Sequence, residues 1–240
     1  MWPKFQILGE TFYTYPLILG LIWAVGFEYS RALNTKLKNF NLLFLSLFIF
    51  SWLGAKVLFL ITLDEVQAKQ IAQASNFWLG GGFVFLGGLI GGLSVILLHK
   101  FFKNQKISDY EFMLLPLTLG HSLGRVACFF AGCCYGTFCE LPWSVHMHGG
   151  FRHPVQLYEA SILVGIFLFL RKRFQNRKSI FLPYLSLYFV SRFFLEFIRG
   201  DKIRGIFWFG LSTSQIISLI GLITVIAAMM LRKRVELKRI

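Results

Sequence analysis

Residues Gly120–Gly136 read G-H-S-L-G-R-V-A-C-F-F-A-G-C-C-Y-G, and Arg152–Glu159, shortly after, read R-H-P-V-Q-L-Y-E. Long apolar sequence flanks both runs. The first run puts Arg125 where an apolar helix would lie in lipid. A charge at the centre of such a helix costs about 2.5–3.5 kcal/mol on insertion scales, which marks a functional site by default. An arginine can also snorkel to the headgroups. The polar company of His121, Cys128, Cys133 and Cys134 argues for a site.

Outward from these runs the chain is apolar: 240 residues, 56% hydrophobic and 18% aromatic. A soluble domain of this size does not need so much apolar surface. Several runs are long enough to cross about 30 Å of hydrocarbon as a helix. The expectation is an all-α, polytopic membrane protein forming a single integral membrane domain over residues 1–240. Seven spans are read, near Phe12–Tyr29, Phe40–Leu63, Phe77–Leu98, Phe112–Phe130, Val155–Leu170, Ile180–Ile198 and Ser212–Leu231. The first residues show neither a basic n-region nor a small-residue cleavage site, so the first span is expected to be uncleaved. The fourth contains Pro116, Gly120, Gly124 and Arg125, and is expected to be broken or tilted. Irregular backbone is tolerated at depth only against protein or a watery cavity.

The formal net charge is +14. Nucleic acid is not the expected partner, because cytoplasmic loops and anionic lipid headgroups explain the excess. Most of the 25 lysines and arginines fall after spans one, three, five and seven, as in Arg31–Lys38, Lys100–Lys106, Arg171–Lys178 and Arg232–Arg239. The other side holds Lys4, Lys69, Arg152, Lys202, Arg204 and Arg199. The positive-inside rule then puts the amino terminus outside, the carboxyl terminus in the cytoplasm, and Cys133–Pro154 in a small outer-face segment.

Span three is dense in glycine: Gly80, Gly81, Gly82, Gly87, Gly88, Gly91 and Gly92. Small residues four apart let helix backbones approach closely. The same glycines could leave room for a lipid chain or headgroup beside span four.

Three constellations carry chemistry. His121 and Arg125, four apart, share a helix face. A guanidinium fork suits phosphate, and an imidazole can move a proton near neutral pH. Arg192, Glu196 and Arg199 repeat the spacing in span six, where the carboxylate can hold either arginine and the set stays net positive. A purely structural ion-pair network is the alternative there. The run from His153 opens a helix with Pro154 in its first turn. Tyr158 can serve as an interfacial aromatic, while Gln156 and Glu159 have no such use at the boundary and at least one should face the site. The outside location permits disulfides, and Cys139 can close a short loop with Cys133 or Cys134. A thiol beside Arg125 could also be reactive. The spacing of the cysteines with His146, His148 and His153 matches no closed zinc site, so no metal is expected.

Together these residues resemble the prolipoprotein diacylglyceryl transferase family over nearly the full chain. Gly87–Gly91 resembles its glycine motif. Gly124 and Arg125, with Gly132 and Gly136 further on, resemble its signature. Arg152–Glu159 resembles its R-H-P-S-Q-L-Y-E run, with Val155 in place of Ser. Arg192, Glu196, Arg199 and Asp201 resemble its R-x-x-x-E-F-x-R motif and the Asp beyond. Departures fall in the site: Leu86 where a His usually precedes the glycine pair, Cys128 where an Asn follows the arginine, and Ala131-Gly132-Cys133 for Asn-Gly-Glu. The outer segment is also short.

The resemblance implies transfer of a diacylglyceryl group from phosphatidylglycerol to the lipobox cysteine of a prolipoprotein signal peptide, giving a thioether and glycerol phosphate. It implies a bacterial inner-membrane protein whose site opens to lipid near the outer face. Arg125 and Arg192 would hold the leaving phosphate, with Arg199 beside them and Glu196 orienting. His121 is the best base, with Glu196 and His153 as alternatives. Gly87, Gly88, Gly124, Arg152, His153, Gln156, Tyr158 and Glu159 would bind substrate. No cofactor is needed, because the nucleophile arrives with the substrate. Alternatives are a divergent paralogue with another acceptor, a membrane thiol–disulfide enzyme, and a non-catalytic lipid-binding protein.

Overall fold

The computed structural model describes residues 4–7, 10–34, 36–63, 71, 82–200 and 210–237. Gly80, Gly81, Lys69, Asp201, Lys202, Arg204, Lys238 and Arg239 lie outside the described residues, as does the expected start of span three at Phe77. The chain forms two compact units, one spanning Lys4–Met113 and one beginning at Leu114.

The first unit opens with an antiparallel hairpin, β1 (Lys4–Ile7) with β2 (Glu10–Tyr13), in which Lys4 pairs with Tyr13. Three helices follow: α1 (Thr14–Leu33), α2 (Phe40–Ile61) and α3 (Phe85–Lys103), then a 3-10 stretch at Ile107–Met113. Apolar sequence in lipid must satisfy its own backbone, and a helix does so within one segment. Helix α3 runs on to Lys103 rather than stopping near Leu98. Lys100 and Lys103 occupy its last turn, where cations suit the helix dipole, and Asn104 leaves it in the left-handed region at φ 50°.

The glycines of α3 are used against α2. A Cβ added at Gly87 would collide with the Gly54 carbonyl, and one at Gly54 with the Gly87 carbonyl. A Cβ at Gly91 would strike the Phe50 carbonyl, and one at Gly88 would stand 3.2 Å from the Ser51 carbonyl oxygen. The two backbones therefore touch, as the four-residue spacing predicts. Lys56, which sequence patterning does not single out, is fully buried on α2, with its Nζ 4.1 Å from the Phe83 ring centroid.

The second unit contains α4 (Leu114–Ala131), a hairpin of β3 (Val145–Met147) and β4 (Gly150–Arg152), then α5 (Val155–Gln175), α6 (Phe181–Leu195) and α7 (Thr213–Leu237). Helix α5 packs against α4 and α6, and α6 against α7. A 3-10 turn, Glu196–Ile198, prolongs α6. The hairpin turns through His148 and Gly149, both at positive φ (47° and 81°), the pairing that fits a two-residue turn to the strand twist. Residues 135–139 lie extended beside it. Gly136 N–H donates to the His153 carbonyl and Thr137 N–H to the Ile198 carbonyl, which ties the end of α6 to the start of α5. A Cβ at Gly136 would meet His153 and Val155 within 2.7 Å, so only glycine fits between them.

Among the described residues there are seven α-helices, and the all-α expectation gains two small hairpins. Five stretches of the described residues are long and apolar enough to cross a membrane: Phe40–Ile61, Phe85–Lys103, Ile107–Ala131, Phe181–Ile198 and Thr213–Leu231. Where the glycines and Pro116 suggest a broken fourth span, α4 is continuous. Pro116 sits in its first turn, where a missing N–H loses no intrahelical bond. Helix α5 falls outside the five because Glu159 and the basic run Arg171–Arg173 make it too charged; on its protein-facing side Val155, Gln156, Glu159, Ala160, Leu163, Ile166, Phe167 and Leu170 are buried.

The α2–α3 contact sets a clear expectation. Gly91→Val should destabilise the protein by about 1–3 kcal/mol through overpacking, lowering its melting midpoint in detergent by about 2–10 °C. Gly20→Ala, where an added Cβ meets nothing within 4 Å, should not lower it.

Candidate functional site

Helix α4 presents His121 and Arg125 one turn apart, toward α5. Opposite them on α5 is Glu159, whose side chain is 3% exposed. Arg125 Nη2 lies 2.9 Å from Glu159 Oε1, and His121 Nε2 3.8 Å from the same oxygen. The other carboxylate oxygen faces α6, with Arg192 Nη1 3.9 Å from Oε2. Arg192 continues the chain of charges, its Nη2 2.8 Å from Glu196 Oε2, and Arg199 Nε stands 3.9 Å from that oxygen. The two constellations read separately in the sequence are thus one network, joined through Glu159. Three guanidinium groups face two carboxylates, so the set is net positive. Its members Arg192, Glu196 and Arg199 are less than a tenth exposed, whereas Arg125 and His121 keep 16% and 15%. A ligand would therefore meet the network at the α4 edge.

The buried charges are positioned from several sides. Ser122 Oγ donates to the Ala160 carbonyl at 2.9 Å, pinning α4 to α5 just beside His121. The Tyr188 ring lies 5.5 Å from the His121 ring. At the start of α7, Ser212 N–H donates to Gln215 Oε1 at 2.9 Å and Gln215 N–H to Ser212 Oγ at 3.3 Å. This reciprocal pair is a capping box. The Ser212 hydroxyl also donates to Glu196 Oε1 at 2.9 Å, and Arg192 Nη2 donates to Ser214 Oγ at 3.2 Å. Sequence reasoning missed these serines. The S-x-x-Q spacing ahead of an apolar run was the available signal.

The remaining candidates divide. Gly124 has open space where a side chain would be, next to Arg125. Arg125 Nε and Gln156 Oε1 are buried with no hydrogen-bond partner among the described residues. Gln156 Nε2 donates to the Cys133 carbonyl. Arg152 donates from Nε to the Met147 carbonyl at 3.1 Å and from Nη1 to the Gly136 carbonyl at 3.3 Å, and stacks over Phe138, so it holds the hairpin. Tyr158 accepts from Trp143 Nε1 at 2.8 Å, and its hydroxyl lies 3.3 Å from His153 Nδ1. These form a separate polar group at the start of α5. Gly87 and Gly88 belong to the first unit, against α2.

All four cysteines are free thiols. The Sγ atoms of Cys128, Cys133 and Cys134 lie within 4.8 Å of one another, so Cys133 and Cys134 are grouped with Cys128 and the expected pairing with Cys139 is not formed. Hydrogen bonds from the Cys128 and Cys133 thiols, followed by the charges of Arg199 and Arg125, hold the Cys134 thiol far below its ordinary pKa.

A family profile described as prolipoprotein diacylglyceryl transferase matches residues 4–231. Curated relatives agree. A phosphatidylglycerol–prolipoprotein diacylglyceryl transferase of Clostridium tetani (strain Massachusetts / E88) is 30% identical over 237 residues, covering 91% of this chain and 92% of its own. The enzyme of the same name from Clostridioides difficile (strain 630) is 33% identical over 176 residues, 70% of this chain and 68% of its own. That of Campylobacter jejuni (strain RM1221) is 30% identical over 229 residues, 88% and 84%.

Glu159 is the counter-charge on which both arginines draw. Glu159→Gln should destabilise the protein by about 3 kcal/mol or more, as removal of one partner from a buried pair does. Thermal unfolding in detergent would register this, with Glu140→Gln, at an exposed position, left at the wild-type midpoint.

Proposed function

Because the chain belongs to the prolipoprotein diacylglyceryl transferase family, we propose that it moves a diacylglyceryl group from phosphatidylglycerol to the lipobox cysteine of a prolipoprotein. The observation that carries this reading is the buried, net-positive network around Glu159, with a spare Arg125 donor beside the open space at Gly124. An anionic headgroup is what such an excess of positive charge would take.

The acceptor sulfur attacks the glyceryl carbon that carries the phosphate ester. A carbon–sulfur bond forms, the carbon–oxygen bond breaks, and glycerol phosphate leaves with the electron pair. Charge gathers on the phosphate as it departs, so donors fixed beforehand around it stabilise the transition state more than the bound lipid. Arg125 and Arg192 take that role, and Arg199 extends the positive field. Glu196 orients Arg192 through the 2.8 Å contact. Glu159 sets the spacing of Arg125 and Arg192. The thiol, with an ordinary pKa of about 8.5, gives its proton to His121, whose Nε2 lies 3.8 Å from Glu159 Oε1. Gly124 leaves the headgroup room, and Gln156 keeps an acceptor for a glycerol hydroxyl.

The two units act as one membrane domain on this reading, which the span of the family match across both of them supports. The basic loops support an amino terminus outside, a carboxyl terminus in the cytoplasm, and a site that opens to lipid near the outer face of a bacterial inner membrane.

In a detergent assay of labelled diacylglyceryl transfer to a lipobox peptide, Arg125→Ala and Arg192→Ala should each lose about a hundred- to thousand-fold in rate. Arg125→Lys keeps the charge without the fork and should recover only part of it. Glu196→Gln should lose less. Near-normal rates in folded Arg125→Ala and Arg192→Ala proteins would rule out the assignment. For orientation, a cysteine placed at Asn176 in a cysteine-free background should resist an impermeant thiol reagent in intact cells and react after lysis.

A further inference from the structure

The geometry points to a zinc site at Cys128, Cys133 and Cys134, with its fourth position open to the acceptor thiol. This inference rests on the transferase reading for its catalytic part; the metal site itself does not.

The way α4 ends brings the thiols together. Gly132, at φ 75°, leaves the helix in the left-handed region. Its N–H bonds the Phe129 carbonyl, and Cys133 N–H bonds the Cys128 carbonyl at 3.2 Å. That pair of bonds is a Schellman motif, which sets the side chain two beyond the helix over the side chain three residues before its cap. An apolar contact is usual at those two places. Here both places are cysteine. Cys134 completes the trio from a left-handed backbone at φ 62°, an unfavourable conformation for a residue with a Cβ. Strained backbone of this kind collects at functional sites.

The turn is also held from outside. His148 Nε2 lies 2.7 Å from the Gly132 carbonyl oxygen, and Gln156 donates to the Cys133 carbonyl. Such outer contacts orient ligands around a metal. Thiolates about 2.3 Å from one zinc ion stand about 4 Å apart, and the three sulfurs already lie within 4.8 Å. Three protein ligands and one open position is the pattern of a reactive zinc centre rather than a closed structural one. The trio is open to a ligand, with Cys133 exposed and the other two partly so. Three thiolates around zinc carry one net negative charge, and Arg125 and Arg199 lie within electrostatic reach of Cys134 to balance it.

An acceptor thiol bound in the fourth position loses its proton to solvent, which reaches the trio at the exposed Cys133, and remains as a zinc-held thiolate. It then attacks the glyceryl carbon, forming the carbon–sulfur bond as glycerol phosphate departs toward Arg125. The thioether product is a far weaker ligand than the thiolate, so alkylation itself releases it.

The test uses the full chain in detergent, purified under reducing conditions. Elemental analysis should find about one zinc per chain, and cobalt(II) should replace it with intense thiolate-to-metal absorption. Cys128→Ser, Cys133→Ser and Cys134→Ser should each weaken binding at least tenfold, and Cys139→Ser should not. Wild-type protein that takes up neither metal, or that binds equally well with all three serines, overturns the site. So does a disulfide within the trio that yields no metal uptake after reduction. A chelator should slow transfer to a lipobox peptide at least tenfold, with zinc restoring it. Full transfer by metal-free protein overturns the catalytic role and leaves the transferase reading standing. Metal binding in a protein that never transfers diacylglyceryl refutes the transferase reading, and the open-position role with it, while the site stands.

Discussion

A single carboxylate holds the second unit's polar interior together. Glu159 sits almost fully buried between Arg125 of α4 and Arg192 of α6, giving one oxygen to each. Burying an isolated charge is costly enough that the group would neutralise instead. Two arginines and one glutamate held on three different helices avoid that, because each cation finds an anion and the excess positive charge remains for a ligand. The helices cannot shift past one another without separating these charges, so packing and chemistry share one constraint. Ser122 reinforces it on α4 and Ser212 reaches the neighbouring Glu196 from α7.

Much of this could be read from the sequence where local spacing carries the information. His121 with Arg125, and Arg192 with Glu196 and Arg199, are helical neighbours, and a 3.6-residue period places them together. The four-residue steps of Gly87 and Gly91 likewise forecast a tight helix contact. Partners from separate helices were harder to see. Glu159 lies more than thirty residues from each arginine it joins, and nothing local says which oxygen faces which helix. Cys128 was similarly hidden. The adjacency of Cys133 and Cys134 drew attention to a short loop with Cys139, while a helix-terminating motif folds Cys133 back onto Cys128. Pro116 misled in the opposite direction, since its effect depends on where the helix starts. Arg152, read as a substrate ligand, has a structural use the sequence did not show, since two of its donors support the hairpin.

The hairpin shows how a small element can serve a distant one. Its His148–Gly149 turn is fixed by backbone conformation, and His148 then reaches the Gly132 carbonyl at the end of α4. The extended residues 135–139 bind the start of α5 and the end of α6 through main-chain bonds. Glycine at 136 is what allows the strands so close. Side-chain positions near the arginines are thereby referred to a frame built from backbone hydrogen bonds, which is stiffer than a frame of exposed loops.

The burial of α5 has a consequence for how the chain enters the membrane. A segment that carries Gln156 and Glu159 near one end and Arg171, Lys172 and Arg173 near the other offers the translocon less apolar sequence than α4 or α6. Its burial faces protein, so its affinity for the bilayer is supplied by neighbours rather than by its own side chains. Helix α4 is synthesised just before it and brings Arg125, the partner that neutralises Glu159. A settled place for α5 in the bilayer therefore depends on α4 and α6, which bring the two arginines that neutralise Glu159. For this part of the chain, a stable position in the membrane and an intact charge network are one requirement.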